Sequence, residues 1–340
     1  MNDDPQALLL SLFYGRWRSQ TLHAGVLLGV FEAVGPQPRA ADEITKSLGL
    51  DAALGLRLLR ALRSLGVLKE HPGRAFSATE AGAMLRADHR LSMRDAILLR
   101  EGPEHTAVWK HLPAIVRDGE QNGFVREFGV PAFAHAARDR SYGDAFNAGM
   151  VSQSNLQTRW TLEALREEDL AGVRHLCDVG GGHGHLLCRL LAERPGVQRG
   201  TVLERPGVID GASPPWAARL GVAGRCEAVA GDMFEDVPAA DAYTLKMILH
   251  DWDDAECLRI LGTLRRRATG PKRVLVVEHV IPDGDGPDHA ALFDMHMMVW
   301  GTGRERTLQE YRGLLEGAGF TFDGVRHPAS GAIGIVVAHA

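Results

Sequence analysis

The chain is short of cysteine, of lysine and of any apolar run long enough to cross a membrane. Four cysteines, Cys177, Cys188, Cys226 and Cys257, are scattered through 340 residues, mostly inside apolar stretches. Their spacing fits neither a zinc site nor a disulfide framework, which sets aside small stapled secreted folds and points to a reducing compartment. The best uninterrupted apolar stretch, 24–31, falls far short of the ~20 residues that span a bilayer. A secretory leader begins basic, whereas this chain begins Met-Asn-Asp-Asp-Pro, so a cytoplasmic protein without membrane attachment is expected. Positive charge is not in excess either. Lys+Arg 38 against Asp+Glu 43 leaves a net charge of −5, which offers no general attraction to nucleic acid.

What remains is the make-up of an ordinary globular protein, 45% hydrophobic and 24% charged, long enough for about two domains. Residues 6–34 repeat apolar positions at helical spacing until Gly35-Pro36. Asp42 opens a short helix ending near Gly49, and Asp51 caps a second over 52–65. Leu54, Leu58, Leu59, Leu62 and Leu65 form one stripe on that second helix. A hairpin turning at Pro72-Gly73 follows, and helix–turn–helix plus hairpin outlines a winged helix. Arg57, Arg60 and Arg63 admit a DNA-binding reading. The acidic balance of the chain favours instead a dimerisation module whose arginines are solvated.

Residues 90–170 read as helical, with breaks at Gly102-Pro103, Asp118-Gly119 and Gly129. Beyond Gly172 short apolar strands alternate with helices, at 175–179, 200–203, 227–230, 242–245 and 274–277, with 317–320 and 333–338 as a closing pair. That rhythm predicts an α/β fold with a doubly wound, mostly parallel sheet. Three segments are expected: 1–100 winged-helix-like, 101–170 a helical linker contributing to a pocket, and 171–340 the α/β domain.

Doubly wound sheets bind ligands at the carboxyl ends of their strands. The first strand runs into Asp178-Val-Gly-Gly-Gly-His-Gly184, then a helix from about His185. Glycines there let backbone approach a ligand closely, although any tight strand–helix turn looks alike. The dinucleotide pattern G-x-G-x-x-G would need a glycine at 185, where His185 stands. Glu204 ends the second strand, placed to accept both hydroxyls of a ribose. Asp232 ends the third in Gly231-Asp-Met-Phe, placed for an adenine amine, with Met233 and Phe234 able to pack on the ring. Each alone reads as a solvated loop acid; in succession they read as a nucleoside site. The fourth strand runs into Lys246-Met-Ile-Leu-His-Asp-Trp-Asp-Asp254, bringing His250 and Asp251 to the same cleft. A working histidine needs a carboxylate to fix its tautomer, and Glu278 and Glu305 are the candidates. His183-x-His185 has the look of a metal pair but no third ligand nearby, so no metal is expected.

Together these motifs resemble those of the caffeic-acid-type small-molecule O-methyltransferases, metal-independent S-adenosylmethionine enzymes of plants and bacterial natural-product pathways. The resemblance covers nearly the whole chain. It runs through Phe146-Asn-Ala-Gly-Met150, Asp178-Val-Gly-Gly-Gly182, Gly231-Asp-Met233, Leu249-His-Asp-Trp-Asp253, Arg304-Glu-Arg-Thr307 and Ala318-Gly-Phe320, and fits the bacterial antibiotic branch best. It implies a Rossmann-like class I methyltransferase domain with a seven-stranded sheet, behind a winged-helix domain that joins a homodimer. It implies S-adenosyl-L-methionine as cofactor, leaving as S-adenosyl-L-homocysteine. His250 would be the general base, bracketed by Glu278 and Glu305. Gly181, Glu204, Asp232, Met233 and Lys246 would hold the cofactor. Met150, Ser154, Asp251, Met295 and Met298 would meet the substrate, with Trp300 nearby, although Met295-His-Met-Met298 reads equally well as helix core. Two positions depart from the plant members: Glu204 replaces Asp, longer but chemically equivalent, and Gln153 replaces His, which sets plant phenylpropanoid substrates aside.

The expected reaction is methylation of a phenolic hydroxyl on a small aromatic secondary metabolite. Its competitors are an N- or C-methylating or non-methylating relative on the same fold, and a winged-helix transcriptional regulator.

Overall fold

The computed structural model describes residues 4–209, 213–284, 288–329 and 331–340. Where the sequence suggested three successive segments, the contacts divide the chain into two units with interleaved pieces. The first unit comprises 1–109 and 133–153, and the second 110–132 and 154–340.

In the first unit the apolar periodicity over 6–34 folds as three helices, Pro5–Phe13, Gly15–Leu27 and Val30–Val34. The last break falls at Gly29, whose left-handed backbone no helix continues. Helices Ala41–Ser47 and Ala52–Ser64 follow. Asp42 lies within the first turn of the former rather than at its cap, which is Ala40. Asp51 does cap the latter, accepting from the Leu54 N–H at 2.8 Å. The leucine stripe is narrower than its spacing suggested: Leu59 and Leu62 are buried with Val30, Phe31, Ile44 and Phe76, while Leu54 is exposed. Strands β1 (Arg39–Ala40), β2 (Leu68–His71) and β3 (Ala75–Ala78) pair antiparallel in the order β1-β3-β2, which completes the winged-helix outline. Arg60 and Arg63 stand 3.7 and 3.5 Å from the Glu70 carboxylate on β2, so the wing itself offsets the charge of that helix.

The second unit is built on β4 (His175–Val179), β5 (Arg199–Glu204), β6 (Cys226–Ala230), β7 (Ala240–Lys246) and β8 (Ala268–Glu278). Short strands β9 (Val280–Ile281) and β10 (Arg306–Thr307) pair parallel with each other, and β11 (Thr321–Arg326) and β12 (Gly334–His339) close the chain. Seven strands form one sheet in the order β11-β12-β8-β7-β4-β5-β6, antiparallel only where β12 meets β11 and β8. The expected strand at 317–320 is instead the end of helix Leu308–Gly317 and its turn, where Gly319 is left-handed, and β11 begins one residue later.

The central strands read as unbroken apolar runs because both faces of the sheet are covered. Along β8, Leu275 and Val277 enter one core with Leu176, Val202 and Val337, while Val274 and Val276 enter the other with Val179, Leu245 and Val336. The chain leaves β4 for β5 and β6 on one side, then returns to β7 on the other. Such a reversal opens a crevice at the carboxyl ends of the strands. No helix among the described residues is long and apolar enough to cross a membrane.

Candidate active site

The loop after β4 takes its shape from its glycines. Gly180, Gly182 and Gly184 all have left-handed backbones, and the last opens helix His185–Glu193. A Cβ on Gly180 would stand 2.3 Å from Ile248 Cδ1, and one on Gly181 2.6 Å from Asp178 Oδ2. Glu204 reaches back from the end of β5 to accept from the Gly182 N–H at 3.1 Å. Asp178 is buried beneath the loop; its Oδ1 accepts from Thr244 Oγ1 at 2.6 Å, and its Oδ2 has no partner among the described residues. Burial raises its carboxyl to about 6, against the pull of Thr244 and Lys246.

Lys246, ending β7, donates to Ser154 Oγ at 3.2 Å and Gln157 Oε1 at 3.5 Å on helix Arg140–Ala164. Burial lowers its ammonium, opposed by Asp178 and Glu278. Asp232 is exposed and accepts from the Phe234 N–H at 2.9 Å. Met233 packs against the sheet's core. Phe234 stands edge-on to Trp252 at 4.7 Å with the Arg259 guanidinium over its ring, so its face is already engaged by protein.

The densest cluster surrounds His250, in the short turn Leu249–Asp251 that follows β7. The residue is 6% exposed, and its ring lies parallel to that of Phe293. Its Nδ1 is 2.7 Å from Glu305 Oε1 and 3.9 Å from Glu278 Oε2, and its Nε2 is 3.5 Å from Asp251 Oδ1. Glu278, wholly buried at the end of β8, accepts through Oε1 from the N–H groups of Ile248, Leu249 and His250 at 3.0, 2.9 and 3.4 Å. One carboxylate thus holds the ring and the other holds the turn that carries it. Burial pushes the His250 imidazole down, but Glu278, Asp251 and Glu305 outweigh it and leave it raised to about 10. Burial raises Glu278 to about 7 against the pull of His250, and raises Asp251 as well. Three carboxylates around one buried imidazole hold a proton tightly.

His250, Glu278 and Glu305 offer ligand atoms within 4.8 Å of one another, close enough for a metal ion. His250 Nδ1 and Glu278 Oε1 are already engaged, the first by Glu305 and the second by three N–H groups, whereas Glu278 Oε2 and Glu305 Oε2 are buried without a hydrogen-bond partner among the described residues.

Met295 and Met298 lie half-buried, three residues apart, on helix His289–Trp300, whereas the intervening Met297 is core. Met150 and Ser154 are one turn apart on helix Arg140–Ala164, but the division between the units falls between them.

A profile of the O-methyltransferase domain matches residues 109–321, and one of the O-methyltransferase dimerisation domain matches residues 10–88. The chain belongs to the O-methyltransferase family. It is 36% identical to O-demethylpuromycin O-methyltransferase of Streptomyces alboniger, covering 95% of this chain and 86% of that one. It is 32% identical to a phenazine O-methyltransferase of Lysobacter antibioticus, covering 96% and 94%. Among solved structures it resembles a methyltransferase of calicheamicin biosynthesis in its S-adenosylhomocysteine-bound form, with a TM-score of 0.87, 30% identity and 99% of each chain covered. The enzyme is accordingly an S-adenosylmethionine-dependent O-methyltransferase whose N-terminal region is the family's dimerisation domain.

The residues present fit that cofactor. The glycine turn leaves open a cradle that side chains would fill, and beneath it Asp178 keeps a buried carboxylate oxygen without a partner among the described residues. Acids at the ends of β5 and β6 suit a nucleoside, and a cleft this rich in carboxylates suits a cation. Reading the sequence for sites missed Asp178, Thr244 and Arg306. The first and last lay inside motifs already singled out, but what each side chain grips is set by residues about 50 to 70 positions away.

Proposed function

We propose that this O-methyltransferase acts on the phenolic hydroxyl of a small aromatic secondary metabolite, with His250 as general base. The observation that carries the reading is the Glu305–His250 contact at 2.7 Å on Nδ1, which leaves Nε2 as the nitrogen for a substrate hydroxyl. The relatives that methylate a phenazine and O-demethylpuromycin point to acceptors of that kind.

Gly181, Glu204, Asp232, Met233 and Lys246 would hold the cofactor, whose sulfonium supplies a methyl group already activated for transfer. The protein then needs only to position the acceptor and take its proton. A phenol titrates near ~10. A ring raised to about 10 matches it, so proton transfer to Nε2 is close to balanced. Glu305 and Glu278 stabilise the imidazolium that results. Asp251, beside Nε2, would meet the incoming hydroxyl, and Met295 and Met298 would line the aromatic site with Ser154. No metal is required, and activity should persist in excess chelator.

His250→Ala tests the base. With a phenolic acceptor that gains 14 mass units in the wild type, the variant should bind S-adenosylmethionine normally and lose turnover by ~10²–10⁴. An unchanged rate refutes the assignment.

A further inference from the structure

The segment 303–306 touches the turn around His250 at every residue. A Cβ on Gly303 would lie 2.2 Å from the His250 carbonyl oxygen, so only glycine fits. The Arg304 N–H donates to that same carbonyl at 2.8 Å. Glu305 Oε1 takes the ring nitrogen, and the Glu305 N–H is itself anchored on Asp294 Oδ1 at 2.8 Å. Arg306 turns back beneath the turn with its side chain wholly buried. Its Nη1 donates to the Leu249 carbonyl at 2.9 Å, its Nη2 to the Trp252 carbonyl at 2.7 Å, and its Nε and Nη2 to Asp254 Oδ1 at 3.0 and 2.8 Å.

Burying a guanidinium is costly unless its donors are satisfied in good geometry. Here they are spent on the two carbonyls that flank His250 and on the first residue of helix Asp254–Arg267. Glu278 holds the amide side of the same turn from β8. The turn is therefore clamped from both sides, its N–H groups by a carboxylate and its carbonyls by a guanidinium.

We propose that Arg306 is a positioning residue for this reaction: by fixing the Leu249 and Trp252 carbonyls to the segment that carries Glu305, it sets the distance between Glu305 and the His250 ring. Lysine keeps the charge, but its single nitrogen cannot stand at the three donor positions of the guanidinium, so Arg306→Lys should free the turn from that segment. The inference builds on the reading of His250 as base, yet its test does not depend on turnover.

The test is NMR titration of the imidazole resonances in the full-length protein, with His250 identified by its loss in His250→Ala. The other groups facing the ring, Glu278, Glu305 and Asp251, stay unchanged in the variants. In the wild type His250 should titrate well above the ordinary ~6.5. Arg306→Lys should lower that midpoint by about one unit or more, because the Glu305 contact no longer forms squarely. S-adenosylmethionine affinity by calorimetry should stay within about threefold, since Arg306 meets none of the residues assigned to the cofactor. Should Arg306→Lys not fold, Asp254→Ala decides, because Asp254 is more than half exposed and its loss removes the acceptor of Nε and one of the two acceptors of Nη2 without emptying the core. A smaller downward shift is expected there. A His250 midpoint unmoved in the folded variant overturns the proposal and leaves Arg306 a purely structural staple. A base assignment in error would show separately, as an unchanged rate in His250→Ala.

Discussion

At the scale of single residues, the chemistry depends on how many negative groups a buried histidine is made to face. His250 has an ordinary identity in an unusual setting: three carboxylates raise its proton affinity well above that of a free imidazole. A base must be neutral to act. Because the folded value is raised, the active form is present above it and lost as pH falls through it, so kcat/KM should climb on the alkaline side, with a limb between the ordinary ~6.5 and about 10. Glu305→Gln removes the ring's nearest carboxylate. It should move that limb toward lower pH while reducing the limiting rate, and a pH–rate profile superposable on the wild type would show that Glu305 does not govern the ring. The residues themselves were legible in the sequence, since a histidine after a strand and two later glutamates are few enough to single out. Which glutamate holds the ring and which holds the backbone was not, because separations of 28 and 55 residues along the chain do not say which atoms meet.

At the scale of elements, the site depends on turns. Gly180 joins β4 to the glycine loop with its left-handed backbone pressed against Ile248, two residues before His250. Gly180→Ala should destabilise the protein by about 1–3 kcal/mol, from backbone strain and the clash together, seen as a lowered chemical denaturation midpoint. An unaltered midpoint would mean that the loop relaxes freely. Helix Asp254–Arg267 begins with a capping box, Asp253 Oδ1 accepting from the Glu256 N–H at 2.8 Å and Glu256 accepting in return. Asp253→Ala should cost about 0.5–2 kcal/mol by the same measurement. The strands from β4 to β8 were written in the sequence, because apolar runs bounded by turns carry their own period. The 317–320 segment was misread because a short apolar stretch beside glycines fits a helix end and a strand equally, and only the buried Tyr311, Leu314 and Leu315 behind it decide for helix.

At the scale of the molecule, the first two helices leave Leu8, Leu9, Leu12, Phe13 and Trp17 largely exposed, a run of large apolar side chains of the kind that marks an interaction surface. With a dimerisation domain matched over residues 10–88, a second copy is the expected cover. Leu9→Glu combined with Leu12→Glu should shift sedimentation at micromolar concentration from dimer to monomer; an unchanged sedimentation coefficient would place the interface elsewhere. The sequence by itself determined the class of fold, the glycine turn, the order of acids at strand ends and the histidine with its two glutamates, because hydrophobic period and residue chemistry are local properties. Only the tertiary structure decided which atoms meet. The division of the 101–170 helices between two units, the unpartnered Asp178 oxygen beneath the loop, and the opposed grips of Glu278 and Arg306 on one short turn all join residues that chain distance keeps apart. Packing sets them, and no periodicity in the sequence records it.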